Sequence, residues 1–133
     1  MKEPFWIAER DALSIHARML ALHGGAQGLR DEGLLESALA RPKQLFAYGD
    51  SPGLVEMAAA YTAGIVQNHP FIDGNKRTGF VVGVLFLETN GARFTAPEED
   101  ATRAVLDLAA GILDEAGFVT WLSNHVKEAA RKR

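Results

Sequence analysis

The chain of 133 residues has the size of a single domain, and its 47% of apolar residues is enough for a folded core. Its net charge of −3 lacks the basic excess that non-specific nucleic-acid binding needs, and only residues 127–133 form a basic stretch. The absence of cysteine excludes disulfides and thiolate zinc sites.

The sequence also lacks the apolar segments that direct chains to membranes. Residues 1–6 lack the long apolar segment expected of a secretory signal, and no run approaches the roughly 18 apolar residues of a spanning helix. We therefore expect one domain over residues 1–133, located in the cytoplasm, with no membrane and no direct nucleic-acid partner.

Helical spacing of apolar residues predicts a first helix over residues 9–23. A glycine-rich loop, Gly24 to Arg30, follows it. Asp31 is the expected N-cap of a second helix, which Pro42 should stop. Turn-forming residues then predict an irregular stretch from Lys43 to Gly53.

Two helices that are apolar on most sides come next, over residues 54–68 and 75–89. Helices of this kind are buried, so the pair predicts a central helical hairpin. Asn90-Gly91 is the expected left-handed C-cap of the second helix.

The remaining chain predicts two more helices. Thr95 and Glu98 have the spacing of a capping box, and a last helix is expected over residues 114–130. Strands are expected only as a short pairing at residues 5–7 or 92–94. The predicted fold is all-α, a single compact bundle of about six helices around the central hairpin.

The loop between the two apolar helices holds a candidate base and a candidate metal ligand. Histidine is the residue type best suited to accept a proton at neutral pH, so His69 can act as a general base toward a hydroxyl. Asp73 offers the hard oxygen ligand that magnesium prefers when a nucleotide supplies further oxygens.

The residues that follow predict an anion site. Gly74 permits a tight turn, and Asn75, Lys76 and Arg77 occupy the first turn of the next helix. The N–H groups of a first turn are unpaired and lie at the positive end of the helix dipole. With two cations added, base, metal ligand and anion cradle meet in one segment, as phosphoryl or nucleotidyl transfer requires.

Each of these residues also has a structural explanation when taken singly. Asp73-Gly74 alone reads as a turn, and Phe71 reads as a buried anchor of the loop. His16, His23 and His125 are expected to be surface or capping residues on their helices. Only the order of residues within the segment favours a transfer site.

This segment, His69-Pro70-Phe71-Ile72-Asp73-Gly74-Asn75-Lys76-Arg77, resembles the signature of the Fic/Doc superfamily, and specifically of the death-on-curing (Doc) toxins of toxin–antitoxin pairs. The stretch from Gly24 to Pro42 is similar to the N-terminal part of the same toxins. Chain length and helix order agree over nearly all of the sequence.

The resemblance implies a role for each residue of the segment. His69, Asp73, Lys76 and Arg77 would be catalytic, with Asp73 the ligand of Mg²⁺. The cradle for the phosphates of ATP would comprise Gly74, Asn75, Lys76 and Arg77. A flap that docks the target would lie in Gly24–Asp31 or in Lys43–Gly53, and the sequence does not choose between them.

Two departures from the AMP-transferring members indicate which reaction to expect. Those enzymes usually carry Gly where this chain has Lys76, and a second Arg where it has Phe80. Without that guanidinium, the terminal phosphate is not clamped in the AMP-transfer orientation. The resemblance then implies a protein kinase that modifies a Ser or Thr of elongation factor Tu or a similar translation factor.

The sequence leaves three alternatives to the kinase function. AMP transfer at the same site is the first, and a catalytically silent binding module of the same fold is the second. A metal-dependent hydrolase is the third, but one Asp and one His give few ligands for the usual two-metal site.

The resemblance also bears on the mode of control. Many Fic proteins silence themselves with a motif in which Ser or Thr is followed by three residues and then by Glu-Gly or Glu-Asn. Here Glu-Gly occurs only at Glu32-Gly33, and the position that would need Ser or Thr is Gly28, so the motif is absent. Control by an antitoxin, through a C-terminal peptide that folds on the toxin, is therefore the expected arrangement.

Overall fold

The computed structural model describes residues 2–50 and 52–128, which are mostly helical. The helices are α1 (Glu9–His23), α2 (Glu32–Tyr48), α3 (Leu54–Asn68), α4 (Asn75–Thr89), α5 (Glu98–Ala109) and α6 (Glu115–Ser123). Two short strands, β1 (Ala92–Phe94) and β2 (Val126–Glu128), pair in antiparallel fashion. The all-α fold class is confirmed. Within the described ranges, no helix combines the length and the apolarity needed to cross a membrane.

Helices α3 and α4 form the central hairpin. Residues 57–66 of α3 are all buried, and the hydroxyl of Thr62 donates a hydrogen bond of 2.8 Å to the carbonyl oxygen of Gly79 on α4. On its other side α3 approaches α2 closely, because a Cβ added at Gly64 would lie 3.2 Å from the Cα of Ala38. The hairpin thus fixes where α3 ends and α4 begins.

Helix α2 does not stop at Pro42, and this expectation was wrong. The helix continues through Pro42 to Tyr48, so the first part of the stretch expected to be irregular is helical. An internal proline removes a hydrogen bond and costs about 3 kcal/mol. Here Pro42 is itself buried, and Leu45 and Phe46 in the next turn pack against the core. The apolar contacts of these side chains offset the free-energy cost of the proline.

The last helix is shorter than expected. Helix α6 ends at Ser123, and the chain turns into β2, which pairs with the predicted strand 92–94. The capping box is also absent, because the N–H and the hydroxyl of Thr95 both donate to the carbonyl oxygen of His125. Residues 129–133, the end of the expected helix and most of the basic stretch, lie outside the described residues.

The N-terminal segment is tied to the core without forming a strand at 5–7. The side-chain amide of Asn90 accepts from the N–H of Phe5 at 2.8 Å and donates to its carbonyl oxygen at 3.0 Å. Asn90 itself keeps a negative φ, and the left-handed residue after α4 is Gly91, with φ of 91°.

The contact between α3 and α4 predicts a cost for Gly83→Ala. The added Cβ would overlap the hydroxyl of Thr62 and lie 3.0 Å from the carbonyl oxygen of Ala58. Overpacking of this kind should lower the free energy of unfolding by about 1–3 kcal/mol, measured by urea denaturation. The control is Gly33→Ala at the exposed start of α2, which we expect to be neutral or slightly stabilising. Equal unfolding midpoints for the two variants would contradict the close approach.

Candidate active site

The loop that joins α3 to α4 opens into a cleft of about 640 Å³. Both ends of this loop have left-handed backbone conformations, at His69 (φ 54°, ψ 54°) and at Gly74 (φ 81°, ψ 15°). The structure brings all the predicted site residues together, since each of them lines this cleft: His69, Asp73, Gly74, Asn75, Lys76 and Arg77.

The side chain of Asn75 holds the loop in shape. Its Oδ1 accepts from the N–H of Phe71, and its Nδ2 donates to the carbonyl oxygen of the same residue, each at 2.9 Å. Asn75 is only 4% exposed, and the ring of Phe71 is fully buried, as expected of an anchor. The side chain of Asn75 is thus engaged within the loop, and its backbone N–H is what remains for a ligand.

His69 is held in its unusual conformation by contacts to its backbone. Among the described residues, it is the one non-glycine residue with positive φ. Its N–H donates to the carbonyl oxygen of Ile65, and the guanidinium of Arg30 donates to the carbonyl oxygens of His69 and Asn68 at 2.7 and 3.0 Å. These bonds pair the carbonyl oxygens of residues 65, 68 and 69 at the end of α3. The exposed imidazole lines the cleft.

The carboxylate of Asp73 is oriented by two backbone N–H groups. Ala26 donates to Oδ2 at 3.2 Å, and Gly74 donates to Oδ1 at 2.9 Å. The bonds from Ala26 and Gly74 are the largest causes that lower the pKa of Asp73, and the nearby charges of Lys76 and Arg77 lower it further. The side chain is therefore a fully ionised carboxylate at neutral pH, which could serve as an oxygen ligand.

The start of α4 is suited to an anion. The first backbone bond of the helix runs from the N–H of Thr78 to the carbonyl oxygen of Gly74, which leaves the N–H groups of residues 75–77 without an intrahelical partner. Each of the other five helices carries Asp or Glu in its first turn, whereas α4 has none. Instead, Lys76 and Arg77 are both exposed beside the cleft.

Among the described residues, no preformed cluster of metal ligands surrounds Asp73. Across residues 2–50 and 52–128, the only group of three carboxylate or imidazole ligands within 4.8 Å of one another is Glu9, Glu32 and Glu36. None of these three lines the cleft. A magnesium ion at Asp73 would therefore take most of its ligands from phosphate oxygens and water, which is usual for magnesium.

The glycine-rich stretch Gly24–Asp31, and not the stretch after Pro42, lies beside the loop. The carbonyl oxygen of Pro70 accepts from the N–H groups of Arg30 and Asp31, and the N–H of Ile72 donates to the carbonyl oxygen of Gly28. These bonds align the two segments like a short piece of antiparallel sheet.

The far wall of the cleft is apolar and comes from α4, β1 and α5. Phe80 packs edge-on against Phe94 with ring centroids 5.4 Å apart, and Leu106 is 47% exposed. The apolar side chains of this wall are Phe80, Val81, Phe94, Ala101, Val105 and Leu106. The site thus has a polar end at the loop and an apolar side along α4 and α5.

His16 is the residue that sequence reasoning missed. It is not at the surface, because it is 6% exposed and stacks on Phe71. The signal that the sequence offers is that His16 follows the apolar Ala12 by one helical turn, at i+4, and the structure shows both residues buried. His23 lines the cleft, and His125 donates from Nδ1 to the carbonyl oxygen of Trp121 in the turn that ends α6.

The hydrogen bonds from Ala26 and Gly74 to the carboxylate predict a low pKa for Asp73. In metal-free buffer, an NMR titration of its carboxyl carbon should give a pKa below 3.8, the ordinary value. Because the folded-state pKa is the lower one, the carboxylate stabilises the fold above the unfolded pKa, and that contribution is lost as pH falls through the folded pKa. The stability gap between wild type and Asp73→Asn should therefore shrink on acidification.

A matched variant separates the causes of this shift. Lys76→Met should leave most of the depression in place, because the bonds from Ala26 and Gly74 are the larger causes. A wild-type pKa at or above 3.8 would contradict the observed orientation of the carboxylate.

Comparison with known proteins places the chain in a family. A family model described as the Fic/DOC family matches residues 6–87. The chain is 32% identical over 93 residues to "Protein kinase doc" of Escherichia phage P1, covering 69% of this chain and 74% of that protein. It is 42% identical over 83 residues to "Toxin Doc" of Mycolicibacterium smegmatis, covering 61% of this chain and 62% of that protein. The chain belongs to the Fic/Doc family, in its branch of Doc toxins.

Proposed function

We propose that this protein is the toxin of a toxin–antitoxin pair and transfers the γ-phosphate of ATP to a Ser or Thr hydroxyl of a translation factor such as elongation factor Tu. One observation carries the proposal. In a chain of the Fic/Doc family, His69, Asp73 and the unpaired start of α4 converge on a single cleft. Modification of a translation factor would arrest translation and growth.

The residues of the cleft suit an in-line transfer. The oxygen of the target hydroxyl attacks the γ-phosphorus, and the bond from that phosphorus to the oxygen bridging to the β-phosphate breaks, so that ADP leaves. The proton of the hydroxyl passes to the imidazole of His69. Lys76, Arg77 and the N–H groups of residues 75–77 stabilise the negative charge on the phosphate oxygens.

Magnesium fits the same end of the cleft. Asp73 presents an ionised carboxylate next to the helix start that would receive the phosphates. A bound Mg²⁺ would neutralise phosphate charge and help to align the transferred group. The hydrogen bonds from Ala26 and Gly74 already orient the carboxylate that would provide the ligand oxygen.

Two side chains favour transfer of the γ-phosphate over transfer of AMP. Lys76 places a bulky cation where the AMP-transferring members have Gly, and Phe80 packs against Phe94 in the apolar wall where they have Arg. The cleft therefore has no second guanidinium at position 80 to hold a terminal phosphate there. The name of the phage P1 relative, a protein kinase, supports the same choice.

The expected partner is an antitoxin whose C-terminal peptide folds on the toxin. The apolar wall of the cleft adjoins the residues proposed for transfer, so a segment packed there would cover the site. Membership of the Doc toxin branch supports such a pair. Both this partner and a translation factor would be met in the cytoplasm.

Labelled ATP separates the candidate reactions. Purified protein, elongation factor Tu and Mg²⁺ are incubated with γ-labelled or α-labelled ATP, and we expect label on the factor from the γ-position alone. His69→Ala and Asp73→Ala should abolish the labelling and the growth arrest in cells while circular dichroism stays helical. Transfer of α-label would establish AMP transfer, and nucleotide binding without any labelled product would identify a silent module.

The glycine-rich stretch gives a second test of the site. Gly25→Ala should reduce transfer about 100-fold, the effect of a displacement near 1 Å, because the added Cβ would lie 2.8 Å from Oδ2 of Asp73. Gly24→Ala is the matched control. Its φ is also positive, but nothing lies within 4 Å of the added Cβ. Similar initial rates of labelling for the two variants would show that the Asp73 carboxylate does not contribute through its orientation.

A further inference from the structure

Helix α1 places a buried histidine beneath the loop that carries Asp73. His16 is 6% exposed and does not line the cleft. Its ring stacks on that of Phe71, with centroids 3.8 Å apart and planes inclined by 9°. No step of the proposed transfer uses this side chain, and a buried polar group at such a position needs an explanation.

A hydrogen bond supplies that explanation. Nε2 of His16 lies 2.8 Å from the backbone carbonyl oxygen of Asp73. A carbonyl oxygen can only accept, so Nε2 carries a proton and donates it. Gly74 lies against the same ring, because a Cβ added there would be 3.6 Å from Nε2.

We infer that His16 is a positioning residue that fixes the backbone of Asp73 and thereby the direction of its carboxylate. This inference rests on the proposed function, in which Asp73 holds magnesium. Ala26 and Gly74 bind the two carboxylate oxygens, and His16 binds the main chain of the same residue. Together the three donors fix both the main chain and the carboxylate of Asp73.

The stacking and the hydrogen bond have separate consequences. The stack on Phe71 fills the core between α1 and the loop, and any flat ring would serve that purpose. The bond to Asp73 needs a donor at Nε2. Because outer contacts of metal ligands set the ligand's orientation, their loss usually lowers metal affinity or activity by about 10–100-fold.

Two substitutions divide these roles. His16→Phe keeps a ring on Phe71 and removes the donor, whereas His16→Gln keeps an N–H donor and removes the ring. In steady-state labelling, His16→Phe should lower kcat about 10–100-fold and raise the Mg²⁺ concentration at half-maximal rate by a similar factor, with little change in KM for the protein target. His16→Gln should restore much of the Mg²⁺ response at lower thermal stability. Wild-type kcat and Mg²⁺ response in His16→Phe would overturn the inference.

A second readout does not depend on catalysis. Without nucleotide, amide hydrogen exchange at Ala26 and Gly74, the donors to the Asp73 carboxylate, should be about 10-fold faster in His16→Phe than in wild type. Unchanged exchange at both amides would overturn the inference even if the protein transferred no phosphate. If His16→Phe does not fold, hydrogen exchange is measured in His16→Gln instead. Because Gln keeps an N–H donor, both amides should stay protected in that variant. Loss of their protection would contradict the positioning role of His16.

Discussion

The pair of hydrogen bonds between the side chain of Asn75 and the backbone of Phe71 is the contact on which the rest of the site depends. It ties the first residue of α4 to the residue that anchors the loop in the core. Phe71 is fully buried, so the segment between the helices is fixed at its middle as well as at its ends. His69 and Asp73 each lie two residues from this anchor, on either side of it.

The two helix ends that meet at the cleft differ in how their backbone groups are paired. At the end of α3, the guanidinium of Arg30 satisfies the carbonyl oxygens of residues 68 and 69. At the start of α4, the N–H groups of residues 75–77 have no such partner, and the Asn75 side chain binds elsewhere. Carbonyl oxygens at one terminus are therefore paired within the protein, while the open N–H groups at the other terminus could bind a ligand with negative charge.

Sequence reasoning succeeded where the signal was local. The apolar pattern located α3 and α4 with their ends. The residues proposed for the site, which are close together in the sequence, line a single cleft. It failed where contacts between residues far apart in the sequence determine the structure. Burial of Leu45 and Phe46 carries α2 past Pro42, and pairing with β1 ends the last helix early. His16 was missed because its partners, Phe71 and Asp73, are more than 50 positions away along the chain.

The cations at the start of α4 have a thermodynamic consequence. Lys76 and Arg77 stand at the positive end of the helix dipole, where like charge is unfavourable by some 0.3–1 kcal/mol each at exposed positions. No Asp or Glu lies in the first turn of α4, and the carboxylate that attracts the two cations is that of Asp73, just before the helix. A polyphosphate bound at this point would remove that repulsion and pair the open N–H groups at the same time. Because the unfolded chain has no such site, binding of the anion would stabilise the fold as well as begin the reaction.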